Sequence, residues 1–364
     1  MATQVSSGKE HTAPARRALN RLKAAGVVLT LFGLGLFGYF IYSTGFGQIT
    51  DGIAKVGFSG FALILFIYLL RIGVRATAWR MAVYEPYRLD IKDTLPAVII
   101  GEALSSMIPL GILVSGTAKA VAVRKKVPLV VGLSSVATEN LFYSLVTGLF
   151  IISGAALFLQ GVPMDAEWAF AIDLLIVLIV GSIIFGVLAV VRQWHFASSF
   201  CDAIYDRGYF RNLLENGRLQ VRLFENLIYG YYRKYPGRFL PLVLLQVLFH
   251  LLGVTEVLFI LSKIGTALPT FTSAFFLESV SRLVTIVFKL IPFVIGVDEA
   301  GAEFIAKALA MGAGIGVTLA IVRKARIMFW ALVGVTLIVK RGLRLRDIHL
   351  INRRIRDGDT HLSK

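Results

Sequence analysis

Six stretches of this chain stay apolar for about the length that a bilayer core demands, and nothing else in the sequence constrains the fold as strongly. They are Val27 to Thr44, Phe58 to Ala78, Leu129 to Leu159, Trp168 to Val191, Phe239 to Leu261 and Val317 to Val339. A hydrocarbon core about 30 Å thick takes about 20 residues of helix. The stretches are apolar on every face, whereas barrel strands alternate apolar and polar residues over about ten positions. The sequence therefore predicts an all-α, polytopic membrane helix bundle. Charged residues make up 16% of the chain, against about 25% in a soluble domain, and no polar stretch is long enough to hold a soluble catalytic domain.

The formal net charge of +16 raises nucleic-acid binding as a possibility, and the placement of the charge points elsewhere. Basic residues cluster beside apolar stretches, at Arg16 to Lys23, Arg88 to Lys92, Arg124 to Lys126, Arg192 to Lys234 and Lys340 to Arg356. The connections near Asp51, Asp165 to Glu167 and Lys263 carry little positive charge. This asymmetry predicts a multi-pass protein of the cytoplasmic (inner) membrane with both termini in the cytoplasm. Residues 1–25 and 341–364 read as basic cytoplasmic tails around a transmembrane domain over 26–340. Within it, 192–238 reads as a cytoplasmic amphipathic loop, because Leu219, Leu223, Leu227, Ile228 and Tyr231 recur at helical spacing. The basic N-terminus followed by an apolar run looks like a signal peptide, but no small-x-small cleavage site follows, so a retained first span is expected. Cys201 is the only cysteine, which excludes an intramolecular disulfide and a cysteine-rich metal site. No cofactor or metal is expected.

Two further apolar regions break in the middle. Leu95 to Val123 is interrupted around Pro109, and Phe271 to Met311 at Ile291 to Glu299. Proline removes a helix donor and forces a break. Arms of 12 to 17 residues fall short of a full span, so the regions read as re-entrant hairpins, tolerated where protein or water covers the backbone. Six spans and two hairpins keep both termini on one side and form an inverted repeat, with the second span, first hairpin and third span matching the fifth span, second hairpin and sixth span. Arms that span fully would instead give an eight- or ten-pass bundle.

Ionisable residues in these regions are costly, so they face a cavity, pair with one another or snorkel. Glu139-Asn140 lies about ten residues into the third span, too deep for a short side chain to reach water, and a functional role is favoured there. Glu278 and Arg282 stand four apart and can pair. Asp298 and Glu299 open the second arm of the second hairpin, where a helix N-terminus stabilises carboxylates and simple capping is the competing explanation. Arg323, Lys324 and Arg326 interrupt the sixth span, which implies a hydrated cavity, a bound anion, or a loop between two shorter segments. Arg71 and Arg75 share one face and can snorkel. Glu102 reads as a packed neutral acid, and His250 and Glu256 as weaker candidates.

At the two hairpins the chain resembles the flippase-like transmembrane domain of the lysylphosphatidylglycerol synthase family. Pro109, Gly116, Lys119-Ala120 and Arg124, followed by Val136 to Asn140, are similar to that family's P-G-R-x-G-E-x-x-R-A stretch and the glutamate of its next helix. Pro292 to Ala300 is similar to its P-G-G-x-G-x-x-E-A turn. Here Phe293-Val294 replace the glycine pair, Thr117 stands at a usual glutamate and Lys119 at an arginine. The resemblance implies movement of lipids with charged headgroups between leaflets, carries over to Lys119, Arg124, Glu139, Gly296 and Glu299, and implies no counterpart here of the family's soluble synthase domain. The residues expected to line a substrate site are Lys119, Arg124, Glu139, Asn140, Glu278, Arg282, Pro292, Gly296, Asp298, Glu299, Arg323 and Arg326. The expected partners are anionic or aminoacylated membrane lipids and lipid-biosynthesis enzymes. An ion- or proton-coupled small-solute transporter and a noncatalytic partner of a lipid-biosynthetic enzyme are the alternatives. An enzyme is disfavoured, since no nucleophile-base set, metal-ligand spacing or phosphate loop stands out.

Overall fold

The structure, a computed structural model, describes residues 31–340 except 33, 109–110, 164, 207–210 and 266–267. Both tails, the start of the first apolar stretch and Pro109 lie outside the described residues. Helices account for nearly all of the rest, and no strand occurs among the described residues. In chain order they are α1 (34–44), α2 (Phe46–Met81), α3 (Ile91–Met107), α4 (Gly111–Ala122), α5 (Leu129–Gly161), α6 (Ala166–Val191), α7 (Phe196–Asp206), α8 (Arg211–Lys234), α9 (Phe239–Ile264), α10 (Phe271–Val287), α11 (Val297–Ala308) and α12 (Ile315–Lys340). Among the described residues four helices, those containing α2, α5, α6 and α9, are long and apolar enough to cross a membrane. α12 has the length, at 26 residues, but carries three cations in its first half.

The expected connection near Asp51 is helical instead. α2 begins at Phe46 and bends at Gly57, whose φ of 63° is a conformation glycine adopts without steric cost. The arm before the bend is held by packing: Ile49, Gly52 and Val56 are buried, with Gly52 set against Thr318 of α12.

The two broken regions match in length. α3 and α10 have 17 residues each, α4 and α11 have 12 each, or about 26 and 18 Å of helix at 1.5 Å per residue. Packing follows the same correspondence. α3 lies on α12 as α10 lies on α5, α4 on α5 as α11 on α12, and α2 on α3 as α9 on α10. Exchanging α2–α5 for α9–α12 maps one set of contacts onto the other. The central pair, α2 and α9, runs antiparallel: Phe259 faces Gly60, Glu256 pairs with Arg71 and Arg238 reaches the Met81 carbonyl.

Backbones approach closely where side chains are small, the usual means of helix association in lipid. A β-carbon on Gly316 would strike the Ala302 backbone, and one on Gly334 would strike Ala103 and the Ile99 carbonyl. The largest apolar cluster joins α2, α9, α10, α11 and α12 around Ile64, Val257, Leu277 and Leu319. α6 packs chiefly against α5, and none of its apolar window is fully buried. The amphipathic stretch is the second half of α8, which packs on α5 and on the end of α2. Tyr231 donates its hydroxyl to the Met81 carbonyl at 2.8 Å, and Glu225 accepts from Ser198 of α7 at 2.6 Å.

Candidate functional site

Arg71 and Arg75 stand one turn apart on α2 and point into the bundle, 0% and 9% exposed. Arg71 donates to Glu256 of α9 at 3.2 Å and to Glu278 of α10 at 3.1 Å. Glu278 also accepts from Arg282, its neighbour one turn on, at 2.9 Å and from Arg323 of α12 at 2.9 Å. Glu256 accepts from Arg326 of α12 as well. Two carboxylates therefore hold four guanidiniums in one buried chain. Aromatic faces cover the planes that hydrogen bonds leave open: Arg71 lies 4.4 Å from the Phe249 ring centre and Arg326 4.1 Å from that of Tyr68, contacts that gain strength when desolvated.

Arg75 anchors a second group. It grips Glu139 of α5 through two nitrogens at 3.1 and 3.0 Å, Asn140 at 3.0 Å and Glu102 of α3 at 2.8 Å. Gln246 of α9 donates to Glu139 at 3.3 Å. A third group closes the second break. The Gly296 N–H donates to Glu299 at 2.7 Å, and the other oxygen of Glu299 meets the Lys324 ammonium at 2.7 Å. Gly296 has a φ of 84°, and Glu299 serves as the N-terminal cap of α11, the alternative weighed from sequence.

The first two groups border one cavity of about 1120 Å³. Among the described residues seven cations line it, Arg75, Lys119, Arg233, Arg282, Lys289, Arg323 and Arg326, against two carboxylates, Glu102 and Asp298. Asp298 accepts from Ser281 at 2.8 Å. The opposite wall is apolar, formed by Leu175, Leu178, Ile179, Ile183 and Val187 of α6 with Ile151 of α5. The result is amphipathic: a cationic end built by α2, α4, α10 and α12, continuous with a greasy wall along α6. Such a space suits a molecule with an anionic group joined to hydrocarbon.

Of the residues singled out from sequence, Lys119, Asn140, Arg282, Asp298, Arg323 and Arg326 line the cavity, and Glu139 and Glu278 hold its cations in place. Pro292 begins the single 3-10 turn Pro292–Val294 at the break, whose Phe293 and Val294 side chains face the cavity. Arg124 is exposed in the turn after α4, outside the lining. Arg323, Lys324 and Arg326 sit buried within the continuous helix α12, so the loop alternative for this segment does not hold. Arg71 and Arg75 do not snorkel, Glu102 is ion-paired, and Glu256 is central. The signal for Arg71 and Arg75 was their i,i+4 spacing; their partners, 185 to 207 residues away for Arg71, left no local trace.

No curated protein and no solved structure gives a significant match to this chain. Residues 24–335 match the family described as lysylphosphatidylglycerol synthase TM region. An all-helical bundle with long apolar helices agrees with that match, and the chain is an integral membrane protein belonging to the lysylphosphatidylglycerol synthase transmembrane-region family.

Proposed function

We propose that the protein translocates a lipid with an anionic headgroup between the leaflets of the cytoplasmic membrane and performs no chemistry on it. The observation that carries this reading is the cavity, which among the described residues joins seven lining cations to an apolar wall. A headgroup crossing bare hydrocarbon faces the cost of an unpaired buried charge; the cationic end offsets that cost while the acyl chains stay along α6. In this reading α3–α4 and α10–α11 are re-entrant hairpins of an inverted repeat, entering from opposite sides, and both termini are cytoplasmic. The matched arm lengths, the equivalent packing of the two units and the antiparallel α2–α9 pair support it. Anionic or aminoacylated phospholipids are the partners, together with enzymes that make them.

The test is a reconstituted flipping assay. Proteoliposomes containing the full chain and fluorescent phosphatidylglycerol or phosphatidylcholine, quenched from outside, should show faster inward-outward exchange of the anionic lipid. Folded protein that accelerates no lipid would overturn the proposal. Proton flux driven by a small solute, without lipid movement, would assign the cavity to a soluble substrate instead.

A further inference from the structure

Four cations, Arg75, Lys119, Arg282 and Lys289, and the carboxylate of Glu102 line the cavity together. Arg75 donates to Glu102 at 2.8 Å, Lys119 lays its stem against Gly101, the residue before Glu102, and Arg282 and Arg75 both face the Phe249 ring, 5.8 and 6.0 Å from its centre. The five side chains come from α2, α3, α4, α10 and the break that follows α10, so both half-helix pairs contribute.

The two carboxylates beside Arg75 differ in freedom. Glu139 is held by two nitrogens of Arg75 and by Gln246, with its side chain 2% exposed. Glu102 makes one ion pair among the described residues, and its side chain is 29% exposed toward the cavity. It can leave without unfolding anything, because Arg75 keeps Glu139 and Asn140. Lys119 shows what would replace it. This residue is 4% exposed, its stem lies against Gly101, where a β-carbon would stand 2.6 Å from Lys119 Cε, and its ammonium donates no hydrogen bond to a described residue while bordering the cavity. A buried ammonium held this way calls for an anion.

Resting on the translocase reading, the geometry points to a phosphate-type anion subsite formed by Arg75, Lys119, Arg282 and Lys289, in which Glu102 is a resident counter-ion that the incoming phosphate displaces. A phosphodiester and a glutamate each carry one negative charge, so the exchange leaves the buried charge balance unchanged before and after. Competition from Glu102 also limits affinity, which a carrier needs if the headgroup is to leave again. The subsite favours a phosphodiester without a compensating cation over a zwitterion.

The experiment measures binding by the detergent-solubilised full chain, using dioctanoyl phosphatidylglycerol, dioctanoyl phosphatidylcholine and inorganic phosphate as probes. Glu102→Gln is expected to bind phosphatidylglycerol about tenfold more tightly, the worth of a recovered charge-assisted contact, with phosphatidylcholine changed less than about twofold. Lys119→Gln is expected to weaken phosphatidylglycerol by a similar factor, and the double variant to return near wild type. Tightening for inorganic phosphate but not for phosphatidylglycerol supports the subsite and assigns it to a free anion. A Glu102→Gln protein that elutes as wild type yet binds neither anion more tightly overturns the inference, as does a Lys119→Gln protein that binds both unchanged. Flipping by wild-type protein is scored separately: loss of the binding shifts with flipping intact removes the subsite alone, and binding shifts without flipping remove the translocase reading alone.

Discussion

Gly253 on α9 and Glu278 on α10 meet where α9 carries no side chain: a β-carbon at Gly253 would fall on the Glu278 carboxylate, 3.0 Å from Nη2 of Arg71. The glycine is therefore a requirement of the ion pair. Gly253→Ala gains at most about 1 kcal/mol of helix propensity, set against overpacking of about 1–3 kcal/mol and weakening of a buried pair. The clash wins. A net loss of about 2 kcal/mol lowers Tm in detergent by about 2–3 °C for a chain of this length. Gly181→Ala on α6, where nothing lies within 4 Å, is the control and leaves Tm unchanged or higher. Equal Tm values for the two variants would contradict this account.

Glu278 pairs with Arg71, Arg282 and Arg323 at 2.8 to 3.1 Å with its side chain fully buried. Glu278→Gln leaves Arg282 and Arg323 without their carboxylate and Arg71 with Glu256 alone, and removal of one partner from a buried pair costs about 3–5 kcal/mol. Folded yield is expected to collapse. Adding Arg323→Gln removes one surplus charge and restores part of the yield, a coupling that a double-mutant cycle in Tm or monodisperse yield reads directly. Strictly additive effects of the two substitutions would show that these charges do not form one network.

Much of this arrangement was legible in the sequence because lipid makes errors expensive. Long apolar runs have one economical conformation, and Pro292 announces a break on its own. Arg323 and Arg326 stood out because three cations in an apolar helix demand partners. Glu278 and Arg282 paired as their four-residue spacing indicates. The identity of distant partners was not legible: Arg75 reaches Glu139 across 64 positions, and spacing within α2 says nothing of which helix lies opposite. The same limit demoted Glu256 and Glu102, each of which is a lone acid until a second helix supplies its arginine. The bend at Gly57 was hidden for another reason, since a glycine in an apolar stretch permits a kink without requiring one.

At the second break, Phe293 and Val294 adopt φ values of 54° and 50°, the left-handed region that a β-branched residue rarely enters. The chain bears the strain of this turn, about 1–2 kcal/mol per residue. The Val294 carbonyl accepts from Lys324 at 3.4 Å, a backbone contact that any residue retains. Val294→Gly relieves the strain at a cost of about 0.5–1 kcal/mol in chain entropy; Tm should stay level or rise slightly, an unusual result for Val→Gly. Gly296→Ala, at φ 84°, has the opposite sign and lowers Tm. A Val294→Gly protein destabilised by as much as Gly296→Ala would show that side-chain packing, not backbone strain, governs this turn.

The apolar wall offers a test of what moves through the cavity. Ser182 and Gly186 stand one turn apart on α6 and both border the space, and a β-carbon on Gly186 meets nothing within 4 Å. Gly186→Trp therefore leaves the helix at an unobstructed β-carbon and places its indole at the apolar wall of the cavity, without altering Lys119, Arg282 or Arg323. If acyl chains travel along α6, the indole obstructs them, and exchange of fluorescent phosphatidylglycerol should slow by about tenfold, equivalent to a barrier higher by about 1.4 kcal/mol. Inorganic phosphate, which needs only the cationic end, should bind as it does to wild type. A small hydrophilic solute would bypass the wall in the same way. Wild-type flipping by a folded Gly186→Trp protein would therefore place the lipid path elsewhere, and α6 would lose its assigned role as the surface along which the chains slide.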